Sequence, residues 1–381
     1  LMIKSKIRFG FMFISLSATN LFTLQQESYD MKNKFKLIIR PLWILLLFLI
    51  PLSQYGQKSV IAGVGFYNLE NLFDIVNDTL TLDEEFTPQG DKNWTEEKYR
   101  DKLDRLSTVI KDIGTDYTPD GLAILGVSEI ENKKVLEDLT QTANLKNRSY
   151  QIIHYNSPDD RGVDVALLYQ EKYFHVVESK PYSILLKLAN GNTKKTRDVL
   201  LVKGYLDQQL VYILVNHWPS RRGGEIITKP YRLQTAQLNR HIVDSLRSIH
   251  PDANYIIMGD LNDNPDNESL TVGIKAIGVK NKVGKEDFYN PFYWNYDRGE
   301  GSTSFNDTWS LFDQILISEN LIQQNVNQFQ FYKHQIYHKS FMLESSGHYK
   351  NHPKRTFSGN VYNYGYSDHF PVVVYLSKKA E

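Results

Sequence analysis

The sequence predicts one α/β domain built on mixed β-sheets. Three observations carry this: runs rich in Val, Ile and Leu alternate with helical stretches, no repeat recurs, and no Pro/Ser linker divides the chain. The 381 residues suit one large domain preceded by a targeting segment. Apolar residues at 41% and charged residues at 23% are ordinary for a soluble chain, excluding disordered, collagenous and multi-span membrane classes. Cysteine is absent, which removes disulfide scaffolds, thiolate zinc sites, Cys nucleophiles and the acylated Cys of a lipoprotein.

Element by element, Val60 to Tyr67 reads as a strand. Thr95 to Ile113 reads as a helix, because Tyr99, Leu103, Leu106, Val109, Ile110 and Ile113 recur at three- and four-residue spacing. Strands follow at Gly121 to Val127, Val163 to Tyr169, Val199 to Leu206, Leu210 to Val215, Tyr255 to Met258, Phe312 to Ile317 and Phe370 to Leu376. Leu233 to Ile249 reads as a second helix. The aromatic, Gly/Asn-rich stretch Gly284 to Asn306 reads as an ordered surface loop. Its cluster Phe288, Tyr289, Phe292, Tyr293, Trp294 and Tyr296 is read as packing against its own domain, ahead of stacking bases or touching lipid.

Ahead of the domain, Lys32, Lys34, Lys36 and Arg40 precede an apolar run from Leu42 to Leu52 and polar Ser53 to Gln57. This pattern spells a secretory signal cut near Gly56 or Gln57. The run falls well short of the about 20 residues a membrane anchor needs. A weaker copy of the pattern in residues 1–30, and the leading Leu, point to translation starting at Met31. The domain assignment is therefore 1–57 for extension and signal, and 58–381 for an exported domain, periplasmic or extracellular. Lys+Arg and Asp+Glu number 44 each; without residues 1–57 they number 37 and 42, a net charge of −5. That argues against a general nucleic-acid-coating protein.

Acidic, amide and imidazole residues sit directly after the apolar strands. Tyr67 leads to Asn68-Leu69-Glu70, Val127 to Ser128-Glu129, Val215 to Asn216-His217, and Met258 to Gly259-Asp260-Leu261-Asn262. Asp368-His369 precedes the last apolar run. Strand ends on one side of a sheet converge, so these residues meet in a single cleft. One Asn or Asp there is most often a turn former or helix cap; turn chemistry has no need of two histidines and a glutamate besides. Hard oxygen ligands without sulfur suit Mg²⁺, with Mn²⁺ or Ca²⁺ as alternatives. Imidazoles beside such a metal suit phosphoryl-ester hydrolysis. Asp313, between apolar segments, needs a buried partner, and a histidine is the natural one. The other eight histidines read as surface or packing residues.

From about Val60 to Leu376 the chain resembles the endonuclease/exonuclease/phosphatase superfamily, which includes DNase I-like and exonuclease III-like enzymes. The blocks FYNLENLFD, GVSEIEN, RGVDVALLY, VNHWPSRRGG, IIMGDLNDNP, FDQILIS and GYSDHFPVVV stand in family order. The resemblance implies a four-layer αββα sandwich of two mixed sheets. It implies metal contacts at Glu129, Asn68 and Asp368, with Glu70 a second-rank candidate. Asp260 and Asn262 resemble the pair that orients the attacking water and polarises the phosphoryl oxygens. His217 resembles the histidine that stabilises the pentavalent transition state, and His369 the C-terminal histidine whose ring Asp313 holds. Arg161, Arg221 and Arg222 are placed to reach the substrate phosphate. The loop from Trp218 to Gly224 departs from the DNA-repair members and is closer to exported bacterial ones.

The expected activity is therefore metal-dependent cleavage of a phosphate diester by an endonuclease-like enzyme, with Mg²⁺ as cofactor. A sphingomyelinase-like or inositol-phosphate enzyme would use the same residues. A catalytically silent exported binding protein is the rival of another class. The expected partner is a phosphate-ester substrate, nucleic acid included, for a monomer without an obligate protein partner or a lasting membrane anchor.

Overall fold

The computed structural model describes residues 59–323 and 325–380 and, ahead of them, Met31. The expected signal segment and its cleavage point near Gly56 or Gln57 lie outside the described residues. In chain order the strands are β1 (Ser59–Leu72), β2 (Ile124–Ile130), β3 (Tyr150–His154), β4 (Asp164–Gln170), β5 (Phe174–Tyr182), β6 (Leu185–Lys187), β7 (Thr193–Lys195), β8 (Val199–Leu206), β9 (Gln209–His217) and β10 (Asn254–Asp260). There follow β11 (Ala276–Ile277), β12 (Phe288–Tyr289), β13 (Thr303–Phe305), β14 (Thr308–Ser310), β15 (Asp313–Ser318), β16 (Gln330–Ile336), β17 (Phe357–Ser358), β18 (Val361–Tyr362) and β19 (Val372–Lys379). The α-helices are α1 (Glu96–Asp112), α2 (Lys133–Thr140), α3 (Glu225–Ile249) and α4 (Tyr293–Asp297).

One sheet has six strands in the order β16-β19-β1-β2-β4-β3, and the other seven in the order β11-β12-β15-β10-β9-β8-β5. Each is built around a parallel pair, β1/β2 in the first and β9/β10 in the second, with antiparallel strands on both sides.

Alternation along the strands explains why the sheets stack. Ala62, Val64 and Phe66 on one face of β1 share a core with Val211, Ile213 and Val215 of β9 and Ile256 and Met258 of β10. Gly126 of β2 faces the same way, and a Cβ there would come within 2.6 Å of Met258 Sδ. The two sheets approach closely at that point because no side chain intervenes. The opposite face of the first sheet, through Tyr67, Leu125 and Val127, packs on Leu103, Leu106, Val109 and Ile110 of α1. On the outside of the second sheet, Tyr212, Leu214, Tyr255 and Ile257 pack on Ala236, Ile242 and Val243 of α3. The layers run helix, sheet, sheet, helix, as the resemblance implies.

Helix α1 forms where its periodicity predicts. Thr95 caps it by accepting from Lys98 N, and Glu96 and Glu97 complement the positive end of its dipole. Helix α3 begins eight residues earlier than its apolar spacing indicates. Ile226 and Ile227 in its first turn are 87% and 65% exposed, and Pro230 lies inside it, so those residues carry no apolar stripe to read. Strands β3, β5 and β16 lie outside the predicted set. They are sheet-edge strands whose residues are mostly half-buried or exposed, so neither a continuous nor an alternating apolar run marks them. The stretch Gly284 to Asn306 is more than a loop: it contributes β12, α4 and β13. Phe288, Tyr289 and Phe292 of its aromatic cluster are buried in the two cores flanking the second sheet. The packing reading therefore fits them.

Candidate active site

The topology gathers the strand-end residues at one end of the sandwich. Asn68 lies near the end of β1 and Glu129 near the end of β2, while His217 and Asp260 close β9 and β10. Parallel pairing puts those ends side by side, with Asp260 in register with His217. Antiparallel β15 starts there, placing Asp313 opposite Asp260. His369 stands just ahead of β19 and bridges to Thr303. Glu129 and Asn262 both take left-handed backbone, at φ 57° and 49°. Such backbone is costly for a residue with a Cβ and clusters at functional sites.

Asp260 is the centre of the arrangement. It is 2% exposed; Asn68 Nδ2 donates to its Oδ2 at 3.1 Å, and Asn262 N donates to its Oδ1 at 3.0 Å. Around the same Oδ2 stand His217 Nε2 at 3.7 Å and His369 Nε2 at 3.9 Å. His217 Nε2 is also 3.7 Å from Glu129 Oε1, while Glu129 Oε2 accepts from Asn71 N at 3.1 Å. His369 Nδ1 meets Asp313 Oδ2 at 2.6 Å, and Ser302 Oγ donates to the same carboxylate oxygen at 2.5 Å.

The electrostatics separate the two imidazoles. Burial holds the His217 pKa well below its ordinary value, helped by the positive charges of Arg197, Arg161 and His369. Burial would also lower His369, but the Asp313, Asp260 and Asp368 carboxylates outweigh it and hold that ring well above its ordinary value. Burial pushes the Asp260 carboxyl up to about 7; the His369 charge opposes this, and Asp313 and Glu129 reinforce it. Carboxylates this crowded favour a shared cation.

The donor set suits one. Glu129, His217 and Asp260 each offer a ligand atom within 4.8 Å of the others, as do Asp260, Asp313 and His369. In the second group Asp313 Oδ2 is already bonded to His369, so the carboxylates of the first group, Glu129 and Asp260, are the better ion site. The oxygen-rich set matches a hard divalent metal.

Residues 63–378 match the sequence model of the Endonuclease/Exonuclease/phosphatase family. The chain belongs to that family. Among solved structures, humanized TDP2 of D. rerio matches with a TM-score of 0.50 at 13% identity, over 83% of this chain and 98% of that one. An endonuclease/exonuclease/phosphatase protein of Bacteroides vulgatus matches with a TM-score of 0.49 at 15% identity, over 83% and 98%. One from Bacteroides thetaiotaomicron matches with a TM-score of 0.47 at 16% identity, over 85% and 97%. No curated protein matches the chain. Members of this family are phosphoester hydrolases that use divalent metals, and the two mixed sheets of this chain share the DNase I-like fold.

Four of the candidate residues have partners or placements that the sequence does not announce. Asn68 has both ends of its amide engaged, Nδ2 donating to Asp260 and Oδ1 accepting from Glu70 N at 2.9 Å, so it orients Asp260. Glu70 is bonded to other groups. Its Oε2 accepts from Thr356 N and Oγ1, both at 2.7 Å, with Lys102 Nζ 3.8 Å away. Burial and the Asp368 charge push Glu70 up to about 7 against the pull of Lys102. Arg221 lines the cleft but is occupied by Asn262 O, Asp263, Asn267 and Glu225. Arg222 is exposed and does not line the cleft.

Arg161 and Asp368 do line it, within an open cleft of about 530 Å³. Asp368 Oδ2 accepts from Arg355 at 2.9 Å, a residue that sequence reasoning misses because no motif surrounds it. Arg197, missed in the same way, is buried behind the site. It donates to Asp159 at 3.1 Å and to Trp218 O at 2.7 Å, the carbonyl that also accepts from Asn262 Nδ2 at 3.0 Å. Ser367, inside the GYSDHF block, donates to Asn68 O at 2.7 Å and accepts from His369 N at 3.0 Å, tying the two halves of the site together.

Proposed function

We propose that this family member hydrolyses a phosphate ester with Mg²⁺ or Mn²⁺ as cofactor, a diester in preference to a monoester, after export from the cell. The observation that carries the reading is Asp260 Oδ2 within 4 Å of both imidazole Nε2 atoms, next to Glu129. Glu129, whose Oε1 has no hydrogen-bond partner among the described residues, would hold the cation, with Asp260 and His217 bordering it and Asp368 lining the same cleft. Bound there, the metal supplies Lewis-acid polarisation of a non-bridging oxygen.

The protein's own groups divide the remaining work. Asp260, fixed by Asn68 and Asn262 N, orients the attacking water. His369, fixed by Asp313 through Nδ1, turns Nε2 towards the cleft and takes the proton in its neutral form, which the raised pKa places on the alkaline side. Neutral His217 has no partner at Nδ1. A buried N–H without an acceptor is the costlier orphan, so the ring's proton belongs on Nε2, facing the phosphoryl oxygens. The second N–H of Asn262, held by Trp218 O, donates alongside it.

A diester is favoured because the cleft does not end at this centre: it shares Ser304, Phe305, Asn306, Arg355 and Asp368 with a second recess. Single diesters suit it better than a polynucleotide, since Arg161, Arg221 and Arg355 each face a carboxylate and leave no track of unpaired cations among the described residues lining the cleft. The expected result is turnover of bis(p-nitrophenyl) phosphate with Mg²⁺ or Mn²⁺, faster than p-nitrophenyl phosphate and abolished by EDTA. Turnover untouched by EDTA, or none with any divalent ion, contradicts the proposal.

A further inference from the structure

Beyond the metal centre, a recess of about 250 Å³ opens from the cleft. Its walls are two irregular segments. One is the tip of the β13–β14 hairpin, where Asn306 and Asp307 both take left-handed backbone at φ 48° and 60°, forming a tight two-residue turn. The other is the chain from Glu344 to Gly359, pinned by the Leu343–Pro353 bridge and by backbone bonds between Glu344 and both Asn351 and His352 at 2.9 Å. The segments are joined by Ser304 Oγ and His352 Nδ1 at 2.7 Å, and by the packing of Trp309 on the His352 ring at 5.0 Å. The recess is therefore a built wall and not a gap between mobile loops.

Its lining combines charges of both signs with neutral polar groups and exposed rings. Glu344 is half-buried, and its carboxylate takes no hydrogen bond or ion pair among the described residues. Arg355 stands opposite, paired with Asp368. Ser304, Asn306, His352 and Ser358 complete the polar wall, and Tyr349 stands at 52% exposure beside it.

Each class of occupant can be weighed against that wall. A second phosphate is repelled by Glu344 and Asp368. A cationic group would pair with Glu344 but offers no acceptor, and so leaves the donors of Asn306 and Ser358 unanswered. An apolar chain would strip water from Glu344, Arg355 and Asn306 without replacing their hydrogen bonds. A neutral group carrying several hydroxyls satisfies all of them, because each hydroxyl both donates and accepts, and its C–H faces can lie on the Tyr349 ring. The volume lies just under that of a drug-sized pocket, which leaves room for one such group.

We propose that this recess is the subsite for one ester arm of the substrate, and that this arm is a neutral polyol or sugar. The inference rests on the phosphoesterase reading of the adjoining cleft. Glu344 binds hydroxyl groups, and Tyr349 gives the platform beneath them.

The test compares three diesters: glycerophosphoinositol, thymidylyl-thymidine and bis(p-nitrophenyl) phosphate. Wild-type protein is expected to prefer glycerophosphoinositol by kcat/KM. Glu344→Ala and Tyr349→Ala are each expected to lower that value about tenfold, mainly through KM, while bis(p-nitrophenyl) phosphate stays within about twofold. Glu344→Gln, which keeps an acceptor, is expected to recover part of the loss. Preference for thymidylyl-thymidine, or equal losses on every ester, overturns the proposal while leaving the phosphoesterase reading intact. If no ester is turned over, that reading fails by itself. Saturation-transfer NMR of free myo-inositol against wild type and Glu344→Ala then decides the recess. Transfer seen with wild type and abolished in the variant supports the subsite; transfer equal in the two proteins, or seen with neither, overturns it.

Discussion

Asp260→Asn is expected to lower kcat on bis(p-nitrophenyl) phosphate by about a hundredfold to ten-thousandfold while leaving the fold in place. The amide has nearly the carboxylate's shape, so it can still accept from Asn262 N, which donates to Oδ1 at 3.0 Å. On its other arm Asp260 Oδ2 accepts from Asn68 and stands between the two imidazoles. Replacing that oxygen by NH₂ sets a donor against the Asn68 donor and removes the negative charge that orients water. Asp260 also carries a strained proton balance, its carboxyl pushed up to about 7 by burial against the His369 charge. Losing a charge that is costly to bury should therefore leave stability nearly unchanged or raise it. Steady-state rates with a thermal melt on the same sample check both halves. A large drop in melting temperature with little loss of rate would show a structural role instead.

Asp313→Asn is expected to cost a similar factor by a different route. Asp313 is fully buried, and its Oδ2 receives both His369 Nδ1 and Ser302 Oγ. An Asn there can turn an N–H towards Nδ1, which drives the ring proton to Nε2 and closes the lone pair that faces the cleft. The carboxylates around His369, Asp313 foremost among them, hold its pKa well above the ordinary value of 6.5 against the effect of burial. Removing one of them lowers that pKa, so the limb of the kcat/KM profile belonging to His369 moves to lower pH. Stability follows the same sign. A raised imidazole pKa in the folded state stabilises fully below the unfolded value and is lost as pH rises through the folded value. The melting-temperature gap between wild type and Asp313→Asn should therefore be widest below pH 6.5 and narrow on the alkaline side. A gap that widens with pH, or an unmoved limb, contradicts the pairing.

How much of this was legible from residues alone follows from what makes a strand readable. The inner strands of the two sheets are covered on both faces, so they appear as apolar runs; Val199 to Leu206 reads and folds with the same bounds. Their polar ends are equally visible, because a polar residue ending such a run leaves the core at a strand end. That is how His217, Asp260 and Glu129 declare themselves. Partnerships are less visible. Glu70 has the right type and spacing for a ligand, yet Lys102, from the buried face of α1, and Thr356, 286 residues away, turn it aside. Nothing near either position announces that pairing. Arg197 is similar: its neighbours are unremarkable in sequence, and only the fold brings Asp159 and Trp218 to its guanidinium. The recess between the hairpin tip and the Glu344–Gly359 segment was invisible for the same reason, since irregular segments have no periodicity to read.

One hard cation is expected to bind where the ends of β1, β2, β9 and β10 meet. Crystals soaked in Mn²⁺ and measured at an anomalous wavelength test it most directly. A peak is expected at bonding distance from Glu129 Oε1, bordered by His217 and Asp260, and it should disappear in Glu129→Ala. A peak elsewhere on the surface, or none at saturating metal, would contradict it.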